Sequence, residues 1–261
     1  MIQPLAYVNP QAKVANNVVI EPFVTIHKNV EIGEGTWIGS NVTIMEGARI
    51  GKNCRIFPGA VISAIPQDLK FDGEDSLAII GDNVTIRECV TVNRGTSASG
   101  KTVIGDNCLL MAYVHVAHDC VIGINAILAN SVQLAGHVEI GDFAIIGGLT
   151  AVHQFVKIGQ HVMVSGGSLV RKDVPPYTKA AREPLSFEGV NSVGLRRRGY
   201  TSEKINEIQD IYRIMFIRGF NNSAALKKIE NEMPSTRERD EIILFIRESD
   251  RGIMKGYISK G

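Results

Sequence analysis

The sequence has no apolar run of about 18 residues, so it offers no candidate transmembrane helix. Its first residues, Met1-Ile2-Gln3-Pro4, lack the basic and apolar regions of a secretory leader. Lysine and arginine total 28 against 27 acidic residues, a net charge of +1, and no basic stripe is interleaved with aromatics. A nucleic-acid footprint is therefore not expected. Cysteine is scarce, with four residues and no CxxC pair to indicate zinc or redox work. These absences point to a soluble, cytoplasmic protein of one or two domains.

What is abundant is a six-residue period. From Val8 the chain carries Val14, Ile20, Ile26, Ile32, Ile38, Ile44, Ile50, Ile56 and Ile62. The phase resumes at Ile80, Ile86 and Val92, and again from Ile104 to Val170. Both gaps are multiples of six, so the segments near 64–78 and 94–102 leave as loops without disturbing the winding. Four residues after each aliphatic the side chain is small or β-branched, from Ala12 to Val174, except at Pro66 in the first gap. Asn, Gly, Asp and His are frequent three residues after it, and these types tolerate positive φ. Each hexad then reads as a short strand and a sharp turn, and three hexads close a triangular coil of about 18 residues. Residues 8–175 predict a parallel β-helix about 40–45 Å long at strand spacing. Cys54, Cys108 and Cys120 fall in the small inward slot and are expected to be buried thiols, whereas Cys89 falls at a turn.

Composition shifts near residue 182. The first 181 residues hold 28 charged residues and the last 80 hold 27, which divides the chain into a β-helix (1–181) and a small α-helical C-terminal domain (182–261). Thr201 opens a predicted helix to about 218, a second runs from about Ser223 to Met233, and a third follows Pro234-Ser235. Capping the open end of the prism is the simplest role for them.

The densest polar cluster is His115-Val116-Ala117-His118-Asp119-Cys120. His115 and His118 read as outward-facing. Asp119 and His137 occupy the turn slot, where turn chemistry alone would accept them. Counting by one coil places Gly136 over His118 and Gln154 over Gly136, with His137 and His153 alongside. A histidine beside open space and an exposed backbone N–H suits a general base with an oxyanion donor. Zinc is the rival use of His115, His118 and His137, but three ligands would have to converge across coils. Asp68 and Lys70, in the first loop, could address a sugar hydroxyl and a phosphate. Arg196-Arg197-Arg198 could grip a pyrophosphate or an acidic carrier protein.

The hexad prism resembles the hexapeptide-repeat acyltransferases that act on UDP-N-acetylglucosamine in lipid A biosynthesis. So do Gln67-Asp68-Leu69-Lys70, the His115–Cys120 cluster, Leu134-Ala135-Gly136-His137-Val138, the Ile145–Phe155 stretch, Gly189-Val190-Asn191 and Leu195-Arg196-Arg197-Arg198-Gly199. The resemblance covers essentially the whole chain. It implies a left-handed winding, which spacing alone does not give. It also implies a homotrimer, no cofactor and no metal, in the cytoplasm of a Gram-negative bacterium, with neither nucleic-acid binding nor membrane insertion. The implied reaction moves an (R)-3-hydroxyacyl group from acyl carrier protein to the 3-hydroxyl of UDP-N-acetylglucosamine. His118 falls on the family's general base, Asp119 on its partner and Gly136 on the oxyanion N–H. Asp68, Lys70, His115, His137, His153, Gln154, Asn191, Arg197 and Arg198 fall on substrate contacts. Gly166 falls at the acyl-chain ruler, where a glycine leaves room for a long chain. The chain departs from the family at Asn93, where relatives carry His, and at Val193, where they carry an acidic residue. A 3-amino sugar nucleotide therefore stays open as the acceptor. A zinc-dependent hexapeptide protein and a non-catalytic scaffold are the alternatives from other classes. The enzyme that acylates the 2-amine carries an extra domain before its β-helix, for which repeats beginning at Val8 leave no room.

Overall fold

The computed structural model describes residues 2–256. Met1 and residues 257–261 of the expected C-terminal domain lie outside the described residues. Two- to four-residue strands recur at the hexad period and stack into three parallel sheets, the faces of a triangular β-helix. The first face begins with Tyr7–Val8, the second with Lys13–Val14 and the third with Val19–Ile20. Regular coils pair at a step of 18, as in Thr25↔Thr43 and Ile127↔Ile145. Across the first loop the pairing is Val61↔Thr91, and across the second Leu77↔Lys101, so the ladders resume in phase after each excursion.

The core follows from the repeat. Strand side chains alternate in and out, so the second residue of each pair points inward. Ile26, Ile44, Ile62, Val92, Val116 and Leu134 form one fully buried inward column. Each such side chain contributes about 1.5–3 kcal/mol on burial. The turns that close the coils use left-handed backbone at non-glycine residues. One edge carries Asn53, Asn83, Asn107 and Asn125 at φ between 54° and 58°, then Phe143, His161 and Tyr177. Those last three rings stack, with centroids 4.9 and 5.6 Å apart. Cys54, Cys108 and Cys120 are buried and Cys89 is exposed, as expected. Burial pushes the Cys108 thiol up to about 11 and the Cys120 thiol up to about 12, so neither is a nucleophile at neutral pH.

The two ends of the prism differ. At the N-terminal end Val8 and Val14 are only partly buried, and Leu5 and Tyr7 are exposed. At the other end the third face is extended by an antiparallel pair, Thr178–Ala181 with Ser186–Val190. Among the described residues four helices follow: α1 (Ser192–Arg197), α2 (Ser202–Phe216), α3 (Asn222–Glu232) and α4 (Arg237–Arg247). The last three match the sequence expectation, with Thr201 capping α2 as predicted. The short α1 had no periodic signal, since six residues do not complete two turns. A second core of Leu195, Ile205, Ile208, Tyr212, Ile229 and Ile242 joins the helices, and Phe187 packs against both cores. Among the described residues no helix is long and apolar enough to cross a membrane.

The nearest-neighbour character of the core gives a direct test. Ile86→Ala removes a fully buried side chain from a mid-prism coil. It should cost about 3 kcal/mol in denaturant unfolding. A loss below about 1 kcal/mol would show that the column does not carry the fold.

Candidate active site

His118, Asp119, Gly136 and His137 lie on the edge between the first and second faces. Each reaches its place through the turn that follows a first-face strand, His115–Val116 or Gln133–Leu134. Asp119 and His137 adopt φ of 59° and 61°, so they are turn residues as well as candidate site residues. The turn at Asp119 swings its carboxylate back onto the neighbouring ring. His118 Nδ1 lies 2.7 Å from Asp119 Oδ2, a contact that adjacency in sequence did not guarantee.

Asp119 is 4% exposed. Burial alone would raise its pKa, but hydrogen bonds from Ser99, His118 and Thr96 outweigh it and hold the carboxyl at about 2. An ionised Asp119 accepts only, so the tautomer of the neutral His118 ring that this contact selects carries its proton on Nδ1 and its lone pair on Nε2. That nitrogen faces Gly136: a Cβ there would lie 2.7 Å from Nε2 and 2.6 Å from Cε1. Among the described residues the Gly136 N–H has no hydrogen-bond acceptor. His137 stands edge-on to His118 at 5.1 Å and stacks on Phe155 at 4.5 Å, while its N–H donates to the His118 carbonyl at 3.0 Å.

Asp68 comes in from the first loop, with its Oδ2 4.0 Å from His118 Nε2. Its Oδ1 accepts from the Lys70 N–H at 3.0 Å, while the Lys70 side chain is exposed. His115 lies one strand earlier, with Nδ1 2.7 Å from Thr91 Oγ1. Its pKa is lowered by burial and then by the nearby His118. His153 and Gln154 occupy the next coil of the same edge, both exposed. A pocket of about 650 Å³ runs from this edge along the second face, lined by Ser99, Asp119, His137, Phe155, Lys157 and Arg251 among others.

Other expected residues stand elsewhere on the same chain. Asn191 caps α1, accepting from Gly194 N–H at 3.2 Å, and donates to the His161 carbonyl at 2.9 Å. Arg198 donates to the Phe143 carbonyl at 3.2 Å and lies over the Phe143 ring. Asn191 and Arg198 therefore sit at the edge between the second and third faces, with Arg197 exposed at the end of α1. Gly166 sits at the third edge, exposed, where a Cβ would meet the Gly148 carbonyl at 3.0 Å. Asn93 is 2% exposed and donates to the Ile65 carbonyl at 3.0 Å, tying down the first loop, while its Oδ1 has no partner among the described residues. Val193 is exposed on α1.

Sequence reasoning missed Thr96, Ser99 and Phe155 as neighbours of the dyad. Only Thr96 left a trace in the sequence, filling the small slot after Val92, and nothing there paired it with Asp119. Among the described residues the groups able to converge on a metal are His118, Asp119 and His137, not the His115 trio weighed from the sequence. A metal there would displace the short His118–Asp119 hydrogen bond, so this donor set fits proton transfer better than metal binding.

A parallel hexad prism with a buried-aspartate-backed histidine defines a hexapeptide-repeat transferase. Residues 101–136 match the bacterial transferase hexapeptide family, 2–106 match the GMPPB C-terminal domain, and 173–254 match domain 2 of UDP N-acetylglucosamine O-acyltransferase. An acyl-(acyl-carrier-protein)–UDP-N-acetylglucosamine O-acyltransferase of a Sulfurihydrogenibium species is 58% identical over 97% of this chain and 93% of its own. The protein of that name from Chlorobaculum tepidum is 62% identical over 71% of this chain and 70% of its own. The crystal structure of a UDP-N-acetylglucosamine acyltransferase from Bacteroides fragilis superposes with TM-score 0.96 at 52% identity, covering 98% of this chain and 100% of that one. The chain belongs to the acyl-(acyl-carrier-protein)–UDP-N-acetylglucosamine O-acyltransferase family.

The close approach at Gly136 is testable. Gly136→Ala should displace the His118 ring and lower kcat on the order of a hundredfold, with little change in melting temperature. An alanine variant with wild-type kcat would show that the contact is not part of the reaction geometry.

Proposed function

We propose that this protein transfers an (R)-3-hydroxyacyl group from acyl carrier protein to the 3-hydroxyl of UDP-N-acetylglucosamine, the first step of lipid A biosynthesis. The observation that carries the mechanism is His118, with Nδ1 on a buried ionised Asp119 and Nε2 against Gly136. His118 Nε2 takes the proton of the sugar 3-hydroxyl as its oxygen attacks the thioester carbonyl. The oxyanion accepts from the Gly136 N–H. Collapse re-forms the carbonyl, breaks the C–S bond and passes the proton from His118 to the departing carrier thiolate. Asp68, Lys70, His115, His137, His153 and Gln154 line the sugar and donor path on that edge. The oxygen acceptor is preferred over a 3-amino sugar because the relatives are O-acyltransferases by name.

The winding is assigned as left-handed on the strength of the hexapeptide resemblance. The helical unit is taken as residues 182–261, supported by the second core and the jump in charge. A homotrimer is the assembly the family resemblance implies, and the separation of the three edges supports it. Asn191, Arg197 and Arg198 lie one whole prism face away from His118, and Gly166 lies at the third edge. A neighbouring copy brings such groups opposite the dyad, leaving Gly166 to bound the acyl slot. A cytoplasmic location is what the family resemblance implies, and among the described residues no helix is long and apolar enough to cross a membrane.

The deciding assay supplies UDP-N-acetylglucosamine and 3-hydroxyacyl carrier proteins of several lengths and weighs the product. One hydroxyacyl group should be added, and His118→Ala should slow the reaction by about a hundredfold or more. Turnover close to wild type in that variant would remove His118 from the role of base. Shared sites are tested by mixing copies. Refolding His118→Ala together with the double variant R197A/R198A should regain activity that neither has alone. No regain would place the whole site within one chain.

A further inference from the structure

The second loop is bound to the dyad more closely than its place in the sequence implies. Asp119 Oδ1 accepts from the Thr96 N–H at 3.0 Å and from Ser99 Oγ. Asp119 Oδ2 accepts from Thr96 Oγ1 at 2.7 Å and makes the fourth contact, with His118 Nδ1 at 2.7 Å. The Asp119 N–H donates to Thr102 Oγ1 at 2.9 Å. The loop that provides these donors is itself held on both sides. Ser76 Oγ donates to the Gly95 carbonyl at 2.6 Å, and the Gly100 N–H donates to the Thr96 carbonyl at 2.7 Å. The Ser97 N–H donates to Glu74 Oε1 at 2.8 Å. A Cβ on Gly95 would lie 2.2 Å from the Lys101 nitrogen, so the loop passes where no side chain fits. Glu74 belongs to the first loop, which carries Asp68 and Lys70.

An aspartate carboxylate turns readily about its terminal torsion, and this one has two imidazoles within reach. His118 Nδ1 is at 2.7 Å, and His137 Nε2 is at 3.8 Å from the same oxygen. Something must settle which ring it serves. The two hydroxyls and one N–H from the second loop fix the carboxylate plane and leave one lone pair of Oδ2 pointing at His118. Asp68, Glu74, His115 and His137 are titratable groups near the dyad among the described residues, and none of them donates a hydrogen bond to Asp119.

We propose that Thr96 and Ser99 are positioning residues for acyl transfer: their hydroxyls orient Asp119 toward His118 rather than His137, and so aim Nε2 at the space beside Gly136. The proposal rests on His118 as the base. Through Glu74 and Ser97 it also ties the loop bearing Asp68 to the geometry of proton transfer.

The test uses the full-length protein. Thr96→Val and Ser99→Ala should each lower kcat about tenfold, with KM for the sugar nucleotide within about twofold of wild type. Thr96→Ser keeps the hydroxyl and should restore kcat. In the double variant T96V/S99A the carboxylate loses two donors, so more of its charge falls on the imidazole. The acid limb of kcat/KM should then move to higher pH by roughly half a unit. The ¹⁵N NMR titration of the His118 ring should move the same way. A folded double variant with wild-type kcat and an unmoved titration would overturn the proposal. So would a Thr96→Ser variant as impaired as Thr96→Val with an unmoved pH profile, which marks a merely structural loop. If the wild-type protein transfers no acyl group, the reading of the activity fails instead, and the NMR titration still decides the positioning role.

Discussion

Each coil of this protein can bury its apolar column only against the coils above and below, so stacking in register governs everything else. The step of 18 fixes which residue stands over which, as in Thr25↔Thr43 and Ile127↔Ile145. That constraint places Gly136 against His118 and Phe155 against His137. It also forces the turns into left-handed backbone. The site is built from turn residues whose conformation the prism imposes, with Asp119 and His137 among them. Structural and chemical demands meet at the same positions without conflict.

The winding was legible in the sequence because a single period runs through 25 aliphatic positions, and periodic signals survive local exceptions such as Pro66. The alignment of His118, Gly136 and Gln154 could be read by counting. The link between Asp119 and His118 could not, because it depends on how one turn directs a side chain. The contributions of Thr96 and Ser99 were hidden for a different reason. They lie in a loop that leaves the period, and its path is set by long-range hydrogen bonds to Glu74 and Ser76. Helix α1 was invisible because it is too short for a hydrophobic face, and Asn191 capping it became apparent only from three dimensions.

The distribution of expected site residues around the prism is as informative as the dyad. Asn191 and Arg198 make firm bonds at the edge that carries Phe143 and His161. His161 is buried there, its pKa lowered to about 4 by burial and then by Arg198, so it stays neutral and packs as a ring. The helices thus hold the second edge rigid while the two loops shape the first. The two sets of groups are prepared separately, each by its own part of the chain.

The coils around Val8 and Val14 are the thinly covered ones, and this bears on how the prism opens. Val8 and Val14 are only partly covered, whereas the C-terminal coils lie under the hairpin and helices. Under pulling or mild denaturation the prism should peel from its first coil, like a tape unwound from its loose end. His118 lies several coils inward, with intact ladders on both sides. The candidate site is therefore insulated from fraying: the thinly covered coils can open while the dyad and the loops that clasp it remain whole.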